Sequence, residues 1–87
     1  MKIIVVKGSH NTGKTEVSHL LSGALYHQGV TVTILDNNLW TNTQVEAVKK
    51  VKTDYLIFTA LDFDPKCFPY PVFQIISLQK PGGEVEA

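Results

Sequence analysis

The chain reads as a small three-layer α/β domain with a mostly parallel four-stranded sheet and two main helices. Three observations predict it. Apolar runs of strand length alternate with stretches of helical period, the order that builds a parallel sheet flanked by helices. Ile3-Ile-Val-Val6 and Tyr55-Leu-Ile-Phe-Thr-Ala-Leu61 are apolar almost without break, as strands covered on both faces require. The first of these runs meets the first helix through Gly8-Ser-His-Asn-Thr-Gly-Lys-Thr15, a loop of the form G-x-x-x-x-G-K-[ST].

Each element has a local reason. Lys2-Ile-Ile-Val-Val-Lys7 carries four consecutive β-prone apolar residues. The spacing of Val17, Leu20, Leu21, Ala24 and Leu25 makes one helical stripe, so a helix is expected from about Lys14 to Gln28. Gly29 suits its left-handed C-terminal cap. Val30-Thr-Val-Thr-Ile-Leu35 alternates threonine with aliphatic residues and reads as an edge strand, closed by the turn-prone Asp36-Asn37-Asn38. Thr41-Asn-Thr-Gln44 and Thr43-Gln-Val-Glu46 both fit a capping box opening a second helix. Along that helix Val45, Val48 and Val51 share one side, and Lys49, Lys50 and Lys52 suit its C-terminal end. Trp40 is expected to pack at the start of this helix rather than stack on a base, because burial dominates the value of a tryptophan.

Tyr55–Leu61 is expected to be the central buried strand. Residues 62–71 hold three prolines and exclude a regular helix. Pro71-Val-Phe-Gln-Ile-Ile-Ser-Leu78 completes the set of strands. Lys80-Pro-Gly-Gly-Glu84 reads as a turn, with Val85 opening a short return strand or fraying. Residues 1–80 thus form one domain and 81–87 a turn and tail.

The glycine-bounded loop carries the chemistry. Gly8 and Gly13 permit backbone angles and close approaches that a Cβ would block. The intervening amides can then form a nest for phosphate oxygens. Lys14 is placed to reach the β- and γ-phosphates and the Thr15 hydroxyl to ligate Mg²⁺. The following helix adds the positive end of its dipole. Gly8, Ser9, His10, Asn11, Thr12, Gly13, Lys14, Thr15 and Glu16 are therefore the expected contacts to a nucleotide, ATP ahead of GTP.

Residues 2–36 resemble the opening of P-loop NTPases. The run Ile3-Ile-Val-Val-Lys-Gly, then Gly13-Lys-Thr, then Leu25…Gly29-Val…Val32-Thr-Ile-Leu-Asp36 is most similar to one group of them. That group holds partition ATPases, signal-recognition GTPases, molybdopterin-guanine-dinucleotide adaptors and adenylylsulfate kinases. The resemblance fades after about residue 60. It implies strand order 2-3-1-4, with right-handed crossovers placing the two helices on opposite faces. It also implies a bound Mg²⁺ nucleotide, and an acidic residue ending a strand beside the loop.

Two carboxylates compete for that place. Asp36 closes the second strand after Val-Thr-Ile-Leu, as in partition ATPases and adenylylsulfate kinases. Asp62 follows Phe-Thr-Ala-Leu at the end of the third strand. Thr15, Asp36 and Asp62 are thus the metal-ligand candidates, with Lys14 and Asp36 the catalytic ones. Either Asp is equally a turn or cap residue in a blander reading, as is Asp64 before Pro65.

The chain also departs from the families it resembles. After Asp54-Tyr-Leu-Ile-Phe58 those families place the metal-side carboxylate, whereas Thr59 stands here. Ser9 stands where partition ATPases carry a lysine. All eight basic residues are lysines, so an arginine finger within the chain is excluded. No guanine-reading motif or lid is visible. The expectation is weak or partner-dependent NTPase or kinase-like transfer, and the alternative a non-catalytic adaptor or regulatory module.

Composition limits the other classes. Eight acidic and eight basic residues cancel, leaving no electrostatic case for nucleic acid or a membrane surface. No apolar run reaches transmembrane length, and the N-terminus shows no signal-peptide pattern, so the cytoplasm is the expected compartment. The single cysteine, Cys67, forms no internal disulfide, and its distance in sequence from His10, His19 and His27 gives no metal-site spacing. His19 and His27 read as ordinary surface residues. Finally, a proline-rich crossover without a helix would leave one sheet face bare, exposing side chains of Ile3–Val6 and Val72–Leu78. A homodimer or an obligate protein partner is expected there, unless the fourth strand runs antiparallel.

Overall fold

The computed structural model describes residues 1–79. The turn and return strand expected from Lys80 onward lie outside them. Four strands, β1 (Lys2–Lys7), β2 (Val32–Leu35), β3 (Tyr55–Ala60) and β4 (Gln74–Ser77), form one sheet in the order β2-β3-β1-β4. Every neighbouring pair is parallel, so the antiparallel alternative for β4 falls away. Helix α1 (Lys14–Tyr26) follows β1, and α2 (Thr41–Lys50) follows β2. A three-residue 3-10 turn at Pro65–Cys67 is the only helical piece between β3 and β4.

The register explains why β1 and β3 are so apolar. Ile3 pairs with Leu56, Ile4 with Ile57 and Val5 with Phe58, and all six are buried in the centre of the sheet. Alternate residues feed two cores. Ile4, Val6 and Ile57 face α1, where Val17, Leu21 and Leu25 cover them. Ile3, Val5, Leu56 and Phe58 face α2.

The sequence stripe on α1 needs correction. Leu20 is 74% exposed and Ala24 also faces solvent. Lys14 and Ser18 are buried in their stead, Ser18 donating from Oγ to the Lys14 carbonyl at 2.8 Å. The helix is rotated so that Lys14 turns into the loop, and a side chain as small as Ser18 lets its first turns lie close to the sheet. Gly29 is left-handed as expected, with φ of 82°, but α1 ends at Tyr26 with His27 as its C-cap, two residues short of the expected end.

The opening of α2 also differs. Trp40 precedes the helix without a side-chain cap, and neither expected capping box forms. Gln44, buried on the inner face, bonds back from Nε2 to the Leu39 carbonyl at 2.8 Å. Leu39 takes the packing position foreseen for Trp40, which is 77% exposed. Trp40 was expected to pack, but Leu39 is the side chain held over the core by its amide's 2.9 Å bond to Thr59 O.

The bare face expected over β1 does not exist. Ile3 and Val5 lie under Phe63 and Phe68 from the crossover loop. Phe58, Phe63, Phe68 and Tyr70 form a chain of tilted and edge-on ring pairs with centroids 5.2–6.1 Å apart. The loop is too proline-rich for a helix, yet it supplies the cover a helix would have supplied. At the β4 edge, Phe73 and Ile75 remain exposed.

Candidate functional site

The loop between β1 and α1 sits at the carboxyl ends of the strands, where open α/β sheets bind ligands. Gly8 is anchored by its amide to Ala60 O at 3.1 Å. A Cβ there would lie 2.9 Å from the Leu78 carbonyl and 2.7 Å from Thr12 Oγ1, so only glycine fits between β1 and β4. The chain then turns through left-handed residues at Asn11 (φ 63°) and Gly13 (φ 86°) into the first turn of α1. Thr12 Oγ1 donates to Ser9 O at 2.8 Å and braces the loop.

Among the described residues, none of the amides from Ser9 through Glu16 donates to a protein acceptor. They border a cavity of about 330 Å³ lined by His10 to Glu16 together with Asp36 and Asn38. Lys14 is nearly buried, and its Nζ donates to Gly8 O at 2.9 Å and Ser9 O at 2.6 Å. The ammonium is thus folded over the loop it belongs to. A fixed positive charge, unspent N–H groups and a helix N-terminus share one concave surface, the arrangement that favours an anion.

Asp36 is brought to this cavity and Asp62 is not. Thr15 Oγ1 donates to Asp36 Oδ2 at 2.6 Å, joining residues 21 apart in sequence. Thr59 Oγ1 donates to Asp36 Oδ1 at 3.3 Å and accepts from the Asn38 amide at 3.1 Å. Thr59 therefore does not replace a carboxylate so much as hold one supplied by β2. Its signal in the sequence was its being the lone aliphatic hydroxyl in an apolar run. Asp62 Oδ1 instead accepts from the Phe63 amide at 2.9 Å. Among the described residues no group of three or more His, Cys, Asp or Glu is placed to hold a metal. A Thr hydroxyl and one carboxylate are nevertheless the hard oxygen donors that Mg²⁺ uses when phosphates supply further ligands.

Asp62 lines a second cavity, of about 260 Å³, with Asn38, Leu39, Trp40, Thr41, Leu61 and Asp64. Asn38, in the left-handed region at φ 49°, lines both cavities. Its Oδ1 is buried without a partner. The sequence flagged Trp40 and Asp62 but did not join them, since the loops that carry them are 22 positions apart and meet only through β2-β3 pairing. On the rim, Asp64 accepts from the Lys66 amide at 3.0 Å and from the Cys67 thiol at 3.5 Å. That hydrogen bond and the nearby charge of Asp64 hold the Cys67 thiol above its usual range. His19 on α1 and His27 at its C-terminal cap are exposed and take no part in either cavity.

Compared with protein-family profiles, curated proteins and solved structures, the chain matches none. What the site can do is therefore argued from its own geometry. No helix among the described residues is long and apolar enough to cross a membrane.

Proposed function

We propose that the chain binds a nucleoside triphosphate, ATP ahead of GTP, with Mg²⁺ in the cavity formed by Gly8–Glu16. The observation that carries this reading is the set of unspent amides from Ser9 to Glu16 around a cavity that also holds the Lys14 ammonium. Phosphate oxygens satisfy such donors, and Lys14 would exchange its two loop carbonyls for the β- and γ-phosphates. Thr15 and Asp36 are the residues that would hold Mg²⁺, which when bound offsets phosphate charge and orients the terminal phosphoryl group.

Transfer by the isolated chain is weak or depends on a partner on this reading, because all eight basic residues are lysines and no planar guanidinium can enter the site from within. The second reading, a non-catalytic adaptor or regulatory module, is favoured by Thr59, which supports Asp36 but offers no carboxylate of its own. The cytoplasm is the proposed setting for either.

Isothermal titration with ATP, GTP and their diphosphates tests the binding. Lys14→Ala is expected to weaken triphosphate binding about 10- to 100-fold, the value of hydrogen bonds from a charged donor, with the circular dichroism of the folded protein retained. Unchanged affinity would overturn the reading. Asp36→Asn is expected to remove most of the gain from added Mg²⁺ while leaving Mg²⁺-free binding nearly intact. Equal losses in both conditions would mark Asp36 as a turn residue.

The proposal includes self-association, now through the β4 edge rather than the face beside α2. Val72 to Gln79 contains no charged residue, and Phe73 and Ile75 are exposed there. Lys2 Nζ lies 4.7 Å from the Phe73 ring centroid, but the strand carries no charge of its own, and such an edge is a template for a second copy pairing strand to strand.

A further inference from the structure

The second cavity is built from parts the phosphate site does not use. One wall is the indole of Trp40, 77% exposed although tryptophan is the most costly apolar surface to leave in water. Leu39 and Leu61 extend that apolar wall. Asp62 and Asp64 line the same cavity. Neither is in an ion pair, since the one ion pair among the described residues joins Lys49 and Glu46. Asp62 spends only Oδ1 on a backbone amide, which leaves Oδ2 free. The N-terminal turn of α2 also borders the cavity and brings about half a positive charge. Two formal negative charges outweigh it.

We propose that this cavity binds a small organic cation: a primary or quaternary ammonium carried on an apolar or aromatic body. The ammonium would lie between the indole face, which attracts cations through its quadrupole, and the free oxygen of Asp62. The body would lie along Leu39 and Leu61. A volume of about 260 Å³ suits a ligand of this size rather than a peptide or a nucleic acid. Asn38 lines this cavity and the phosphate cavity alike, so the cation would sit beside the phosphate site as its second ligand. That neighbouring role rests on the nucleotide reading. The binding itself does not, because no residue of the Ser9–Glu16 loop lines this cavity.

Trp40 is the only tryptophan in the chain, so its fluorescence reports on this cavity alone. Three probes share a phenyl body and differ in charge: phenethylamine, 2-phenylethanol and phenylacetate. None absorbs at the 295 nm used to excite indole. At low salt, phenethylamine is expected to perturb Trp40 emission with an affinity about five- to tenfold above that of 2-phenylethanol, the combined effect of one cation–π contact and one exposed charge pair. Phenylacetate is expected to bind more weakly than the alcohol.

Asp62→Asn combined with Asp64→Asn keeps the Oδ1 acceptors for the Phe63 and Lys66 amides and so keeps the loop. This variant is expected to lower the preference for phenethylamine over the alcohol about two- to fivefold, leaving the part that the indole supplies. Trp40→Leu, read by calorimetry, is expected to lower the preference for amine over alcohol about two- to fivefold. Equal affinities for amine and alcohol on the wild-type chain would overturn the proposal. So would a preference left undiminished by the double substitution, or tighter binding of phenylacetate. The same titration on Lys14→Ala is expected to be unchanged. Unchanged nucleotide affinity in that variant with the amine response kept would fail the nucleotide reading alone, and an amine response absent from the wild-type chain would fail this one alone.

Discussion

The two faces of the sheet are closed by different means. On one, α1 lays Val17, Leu21 and Leu25 over Ile4, Val6 and Ile57. On the other, α2 shares the cover with an irregular loop, whose Phe63, Phe68 and Tyr70 join its side chains in one core with Ile3, Val5, Leu56 and Phe58. The helical cover uses three half-buried aliphatic side chains. The loop cover uses Phe63 and Phe68, 4% and 6% exposed, packed ring against ring. A crossover with three prolines cannot satisfy its backbone by helical bonds, so it takes its order from large side chains with few rotatable bonds. The lesson is that a parallel crossover needs burial, and helix is only the commonest way to supply it.

The largest expected effect breaks this comparison directly. Phe63→Ala should cost about 3–5 kcal/mol by urea denaturation, as for other buried aromatic truncations. Val17→Ala on the helical face should cost about 1–2 kcal/mol, since its side chain is only partly buried. Leu20→Ala should fall within about 0.5 kcal/mol of wild type. If Phe63→Ala proves as mild as Leu20→Ala, the loop is not the cover its packing indicates.

Gly8→Ala sharpens the comparison where both faces meet the Gly8–Thr15 loop. The added Cβ has only 2.9 Å to the Leu78 carbonyl, a backbone atom that cannot swing away. A loss of about 1–3 kcal/mol is expected from the overpacking, with hydrogen exchange of the Leu78 amide, now bonded to Lys7 O at 2.8 Å, speeding more than that of β3. Uniform exchange across the sheet would show that β4 is not separately held by this contact.

The edges of the sheet give smaller effects. Light scattering after gel filtration should find wild type as a dimer at high concentration and Ile75→Lys as a monomer, because a lysine on an edge strand disfavours pairing. A wild-type chain that stays monomeric would remove the proposed β4 association. At the opposite edge, Asp54 Oδ2 accepts from the Thr31 amide at 3.0 Å and from its hydroxyl at 3.1 Å. The amide bond first, and the hydroxyl next, hold its pKa below the ordinary 3.8. A depressed carboxylate contributes stability that is present above its unfolded value and is lost as pH falls through the folded one. The melting temperature should therefore decline less below pH 3.8 in Asp54→Asn than in wild type. Parallel pH profiles would show that the Thr31 clamp adds nothing to stability.

Much of the fold was legible in the sequence, because each part of it is local. The unbroken apolar runs of β1 and β3, the left-handed turn at Gly29 and the glycine-bounded loop follow from residues acting on their immediate neighbours. Strand order came from the resemblance of residues 2–36, and the pairing of β1 with both β3 and β4 agrees with it. Other expectations failed where long-range packing outweighed local preference. Leu20 lies on the apolar stripe but faces water, because the helix must turn Lys14 inward. Thr41 and Thr43 match capping boxes that never form, because Gln44 reaches Leu39 from within the helix.

The candidate site divides along the same line. By itself the sequence determined the loop from Gly8 to Thr15 and singled out Asp36 and Asp62 as rivals, since spacing and residue type carry that information. Only the tertiary structure set Asp36 2.6 Å from Thr15 and gave Asp62 to a separate cavity with Trp40. The reason is geometric. Thr15 and Asp36 end up together because β2 runs parallel to β3, and β3 to β1, in one fixed register. A register is a property of strands already paired, which no window along the chain contains.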